Sequence, residues 1–185
     1  MTQVNGFCDA IRRHYSLSWS NDPNPQTWNE GPANELPLGF CILEFGPTEV
    51  RKMWTYATCC MSHPSDMKLV ELHMFSPIQC DGLVELLTVV AHYHRTGRKH
   101  TVNFGRPWLD KSTCEFGLIS LPYLDGPRIE QLHLQHESAT VNCLWLVPIT
   151  EAERNYKKSD GLKALECKVD EPGFNYLNPL RPSGV

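Results

Sequence analysis

The residues whose types and spacing come nearest to a metal site are Glu130, His133 and His136. Glu-x-x-His sets a carboxylate and an imidazole on one face of a helix, and carboxylate di-iron bundles use two copies of it. One copy is present here. Leu132 and Leu134 also alternate with Gln131, His133 and Gln135 as they would in a half-buried strand, which spreads the ligands along a polar face. An enzyme or metal-binding protein built on Glu130, His133 and His136 is therefore the alternative reading. His92 and His94 flank Tyr93 in a helical segment, and a two-residue helical step turns through about 200°, so they face different ways. Cys59 and Cys60 are adjacent, and in an extended run their side chains point to opposite faces and do not share one ion. No Cys-x-x-Cys, His-Glu-x-x-His, Gly-x-Ser-x-Gly or phosphate-cradling glycine loop occurs. No catalytic residue, metal or cofactor is assigned.

The bulk properties narrow the partners. A net charge of -4 gives no electrostatic draw toward phosphate backbones or anionic membranes. The densest basic run, Arg95 to His100, centres on a glycine and reads as a solvated turn. No apolar stretch reaches the ~20 residues of a membrane span, and MTQVNGFCDAIRRHY has no apolar leader core. The expected location is cytoplasmic, where the eight cysteines are thiols that behave as small buried hydrophobes.

The elements that must position any site follow from periodicity. Val4, Phe7, Ile11 and Tyr15 recur at helical spacing, and a loop rich in Pro, Asn and Gly follows from Trp19 to Gly39, pinned by Trp19 and Trp28. Strands are expected over Phe40 to Phe45, Met53 to Met61 and Met67 to Phe75, with the His63-Pro64-Ser65-Asp66 turn before the third. In the third, Val70, Leu72 and Met74 alternate against Lys68, Glu71 and His73, the pattern of a strand covered fully on one face and partly on the other. Leu83, Leu86, Leu87, Val90 and Ala91 mark a central helix, with Asp81 as its cap and Gly97 as its stop. Further strands are expected over His100 to Phe104, Cys114 to Leu121, Ile129 to His136 and Val141 to Ile149, the last through the middle of the sheet. Thr150-Glu151-Ala152-Glu153 is a capping box that starts a helix, Gly161 ends or kinks it, and Leu162, Leu165 and Val169 continue. The tail from Phe174 to Val185 reads as extended. The expected organisation is one α+β domain over 1–185, with a helix and loop over 1–39 and a core over 40–185. That core is a mixed, mostly antiparallel sheet with a central helix and C-terminal helices packed against it.

The run from Met53 to Pro77, M-W-T-Y-A-T-C-C-M-S followed by V-E-L-H-M-F, resembles the suppressor-of-fused domain. Trp54, Tyr56, Met61 and Ser62 fall on that family's Trp-x-Tyr strand and its turn, and Glu71 and Leu72 fall on its next strand. Cys59-Cys60 depart from it, standing where the family has a small residue or glycine. The likeness continues through Leu83 to His94 and His100 to Trp108. It extends to Val147-Pro148-Ile149-Thr150-x-x-Glu153, Gly161-Leu162, Leu165 and Arg181-Pro182-Ser183, the closing pattern of short bacterial members. The resemblance implies a non-enzymatic protein-binding module, in short bacterial members an immunity protein that neutralises a toxin. The eukaryotic member has a second lobe with no counterpart in these residues. By the resemblance the partner-binding residues are Tyr56, His63 and Asp66, while the bare strand pattern equally makes Trp54 and Tyr56 packing residues. A net negative charge suits a basic partner such as a nuclease toxin.

Overall fold

A computed structural model describes residues 2–95, 101–134 and 139–185, with side chains from Gly6 onward. The side chain of Val4, residues 96–100 with Gly97, and Gln135 and His136 fall outside what is described.

The backbone is an α+β assembly on one mixed sheet. Its strands are β1 (Asn24–Gln26), β2 (Cys41–Phe45), β3 (Trp54–Cys59), β4 (Leu69–Ser76), β5 (Thr101–Asn103), β6 (Phe116–Ser120), β7 (Gln131–Leu134) and β8 (Ala139–Ile149). They lie in the order β1-β2-β3-β4-β8-β6-β5, with β7 also on β8. β4 and β8 run parallel in the register Leu69↔Val141 to His73↔Trp145, and the other described pairs are antiparallel. The apolar run VNCLWLVPI is central because β8 has neighbours on both edges. β4 takes one edge; β7 and then β6 take the other, at Leu134↔Ala139 and Phe116↔Ile149.

Side chains alternate across a strand, so the two faces separate by parity. Ile42, Tyr56, Val70, Leu72 and Met74 point toward α2 (Asp81–His94), which buries Leu83, Leu86, Leu87, Val90 and Ala91 on them. Leu43, Phe45, Ala57 and Cys143 point the other way, beneath α1 (Thr2–Trp19). Phe75, Trp145, Val147 and Ile149 share that face and are covered by α5 (Leu162–Val169), which follows α4 (Glu151–Asp160), and by the tail.

Helix α1 runs a full turn past Tyr15, because Phe7, Ile11, Tyr15 and Trp19 form one stripe at four-residue steps, all buried. This corrects the half-covered reading of β4: with Tyr15 and Trp19 packed over His73, all eight of its residues are buried. The segment expected as a plain loop contains β1 and a 3-10 turn at Gly31–Glu35, with Trp28 packed on the α2 side. Cys80 holds the N-cap position of α2, while Asp81 lies in its first turn, where a carboxylate favours the helix dipole. The stretch expected to be a strand from Ile129 opens instead with a helical turn, α3 (Pro127–Glu130). The capping box is present: Thr150 Oγ1 accepts from the Glu153 amide (3.3 Å), and Glu153 Oε2 accepts from the Thr150 amide (2.8 Å). Gly161, at φ 97°, ends α4 and starts α5. The tail is not extended; it turns back so that Arg181 reaches Glu153. No described helix is long and apolar enough to cross a membrane.

Candidate interaction surface

Two strands and a buried carboxylate build the turn that carries His63 and Asp66. β3 ends at Cys59, and Cys60 adopts a left-handed backbone (φ 63°), which glycine takes without penalty and other residues rarely take. That is the position where the family pattern has a small residue or glycine. It also corrects the expectation that Cys59 and Cys60 face opposite ways: the strand stops between them, and both enter the cluster under α1. Cys60 is bonded to Cys8, so these two are not thiols as the composition suggested.

Beneath the turn, Glu71 is fully buried and accepts from the Thr58 hydroxyl and from the amides of Met61 (3.2 Å) and Ser62 (3.4 Å). Ser62 Oγ in turn donates to the Val70 carbonyl (2.8 Å). The turn closes above this base. Asp66 N–H donates to the His63 carbonyl (2.8 Å), and Asp66 Oδ2 accepts from the His63 amide (2.9 Å). From the side, Arg95 at the end of α2 donates to both Asp66 oxygens (3.1 and 3.3 Å). The Ser65 amide donates to His63 Nδ1 (3.2 Å), which makes that nitrogen an acceptor and places the neutral ring's proton on Nε2. Met67 beside it is completely exposed.

Tyr56 is not on this surface. Its ring is fully buried under α2, and its hydroxyl accepts from the Cys80 amide (2.8 Å), tying the start of α2 to β3. Tyr56 is thus closed off from solvent, whereas His63 and Asp66 are half-buried in the turn. Sequence reasoning missed Arg95 and Glu71 as the groups that hold that turn; the one signal for Glu71 was a carboxylate inside an otherwise apolar strand. Glu130 ends α3, and His133 stands exposed on β7 with Nδ1 3.0 Å from Thr140 Oγ1. Among the described residues no group of three or more His, Cys, Asp or Glu is placed to hold a metal.

Behind the turn, β4 carries two buried titratable groups of opposite behaviour. Burial pushes Glu71 up to about 8, against the pull of its hydrogen bonds from Thr58, Met61 and Ser62. His73 is lowered to about 3, by burial first and then by the Arg51 cation. Neither His73 nitrogen has a hydrogen-bond partner, although Asp125 Oδ2 lies 3.6 Å from Nε2 and is itself paired with Arg51 through Oδ1. Folded Glu71 keeps a proton that the unfolded chain has released above 4.5, so its contribution falls by up to about 1.4 kcal/mol per pH unit from there to about 8. Folded His73 lacks a proton that the unfolded chain binds below 6.5, so its contribution falls as pH drops from 6.5 to about 3. The two slopes oppose one another between 4.5 and 6.5. Stability on their account is flat in that window and falls on both sides. Urea denaturation from pH 3 to 9 measures this, and Glu71→Gln flattens the alkaline limb.

The family model for suppressor of fused protein matches residues 39–182. A solved structure of a suppressor-of-fused homologue from Neisseria gonorrhoeae superposes with a TM-score of 0.82 at 28% identity, over 97% of each chain. The Sufu–Fu complex structure gives a TM-score of 0.69 at 13% identity, over 96% of this chain and 92% of that one. Drosophila Suppressor of Fused gives 0.65 at 14%, over 96% of this chain and 51% of that one. At such identities these two likenesses speak for the fold. Among curated proteins no significant match is found. Because the family model runs from the residue before Phe40 and β2 through the Arg181 turn, across most of the sequence, this chain belongs to the suppressor-of-fused family.

Proposed function

We propose that this chain is a non-enzymatic protein-binding module that presents the turn 63–66 and Met67 to its partner. More narrowly, we propose that it is an immunity protein neutralising a toxin in the cytoplasm. Its family is one of protein-interaction modules, and a protein of the same fold was solved as the Sufu–Fu complex. The observation that carries the reading is the construction of the turn. Glu71 holds it from below and Arg95 from the side, so a partner meets a surface already in its binding shape, which lessens the entropy lost on association. A wholly exposed methionine beside a fixed carboxylate offers an adaptable apolar contact next to a charge. The net charge of -4 favours a basic partner, as a nuclease toxin would be.

The test is affinity capture from the source cell with the wild-type chain and with a Met67→Glu, Ser65→Arg variant. Both positions are exposed, so the fold is retained. One protein captured by the wild type and reduced about tenfold or more with the variant is the expected result, since a central contact removed from an interface has effects of that size. Equal capture by both excludes this turn. A captured partner that is not basic and not toxic when expressed alone overturns the narrower immunity reading and leaves the binding module standing.

A further inference from the structure

Five of the eight cysteines lie in the cluster under α1: Cys8, Cys41, Cys59, Cys60 and Cys143. Cys8 and Cys60 are bonded, Cys59 Sγ donates to the Cys8 carbonyl (3.4 Å), and Cys41 stands directly opposite Cys59 across the β2–β3 ladder. Directly opposed residues of an antiparallel pair have Cα atoms about 4.5–5.5 Å apart. That lies inside the roughly 4.4–6.8 Å that a disulfide spans. Being opposite one another, the two side chains share the face of that ladder that lies under α1. Arg12 of α1 acts on Cys41 as a neighbouring cation, and its buried Nε has no hydrogen-bond partner; a sulfur bearing negative charge supplies one.

We propose that Cys41 and Cys59 are a peroxide-reactive thiol pair, Cys41 the attacking sulfur and Cys59 the resolving one. Exposure sets the order: Cys41 keeps 7% of its surface open and Cys59 none. Charge agrees with it. Interaction with the neighbouring Cys59 thiol, and after it the Arg12 cation, bring Cys41 down to about 7 against the effect of burial, while Cys59 is raised by that same interaction and by burial. A low-pKa thiolate beside a resolving cysteine is the arrangement that forms and then clears a sulfenic acid.

In the first step the Cys41 thiolate attacks one oxygen of hydrogen peroxide. The O–O bond breaks, and hydroxide leaves and takes up a proton as water. Cys59 then gives up its proton and attacks the Cys41 sulfur; an S–S bond forms, the S–O bond breaks, and the departing hydroxide takes that proton as a second water. Two thiols lose two electrons in all, and one peroxide becomes two waters. The product links β2 to β3 immediately beside the Cys8–Cys60 bond that already holds α1.

The experiment treats the folded protein with hydrogen peroxide, alkylates the remaining thiols and maps peptides without reduction. The expected result is a Cys41–Cys59 link with Cys8–Cys60 intact. In Cys59→Ser, a cyclic 1,3-diketone traps a sulfenic acid on Cys41. In Cys41→Ser and Cys41→Ala, Cys59 oxidises about tenfold more slowly or less, having lost the reactive thiolate. A link from Cys59 to Cys8 or Cys60, oxidation confined to the exposed Cys167, or a wild-type rate in the Cys41 variants overturns the proposal. The wild-type map needs no substitution, so a variant that fails to fold does not protect the idea.

Discussion

Replacing Arg181 with alanine is expected to destabilise the protein by about 3–5 kcal/mol, the loss that follows when a buried ion pair is broken from one side. Glu153 is completely buried and Arg181 is 4% exposed. The guanidinium donates to both Glu153 oxygens, at 2.7 Å for Oε2, and Nη2 also donates to the Pro148 carbonyl (3.0 Å). The Thr150 and Gly184 amides complete the carboxylate's shell at 2.8 Å each. Burial by itself would raise Glu153; the Arg181 hydrogen bonds and the two amides outweigh it and hold the group below its ordinary range. Without Arg181 a buried carboxylate has two amides and no counter-charge, and the tail that covers Phe75 and Trp145 through Tyr176 loses its latch.

The measurement is chemical denaturation at pH 7 and then at falling pH. In the wild type the contribution of a depressed carboxylate is present above the unfolded value of 4.5 and is lost as pH falls through the folded value. The gap between wild type and Arg181→Ala must therefore narrow in acid. The double replacement Glu153→Met, Arg181→Met recovers part of the loss at pH 7, because it removes the buried charge along with its partner. A loss below about 1 kcal/mol, the range of an exposed pair, refutes the latch.

Opening the Cys8–Cys60 bond is the second large effect. The bond closes a loop across 52 positions of sequence, and the chain-entropy treatment assigns about 4 kcal/mol to a closure of that length. For a chain of this size that corresponds to a fall in Tm of roughly 10 °C. Its structural meaning is specific: Cys8 lies on α1 and Cys60 at the left-handed residue that ends the β3 turn, so the bond fastens the helix to the sheet. Cys8→Ser, Cys60→Ser and the double variant should lose equal stability, since each removes the same covalent link, and added reductant should lower the wild type to their level. Additive losses in the double variant show that the link does not form in solution.

Much of the architecture is written locally. The Thr150–Glu153 capping box, the stripe at Leu83, Leu86, Leu87 and Val90, and the uninterrupted apolar run of β8 each depend on residues within about one or two turns, where period and capping chemistry act directly. The turn at His63–Asp66 was legible for the same reason. Its stabilisers were not: Arg95 is 29 positions from Asp66, and Glu71 looked like a residue of a half-exposed strand. Tyr56 shows the limit most clearly, because a strand aromatic is read alike whether a helix or a partner covers it, and here the covering element is α2.

By itself the sequence determined the family, the element types and most of their centres, because hydrogen-bond period, caps and turn residues act over a few positions. The tertiary structure decided the strand order with its parallel β4–β8 pair, the meeting of Cys8 with Cys60 and of Glu153 with Arg181, and the burial of Tyr56, Glu71 and His73. Those outcomes depend on which distant segments dock on one another, and burial, pairing and pKa belong to the docked surroundings of a residue and not to the residue type.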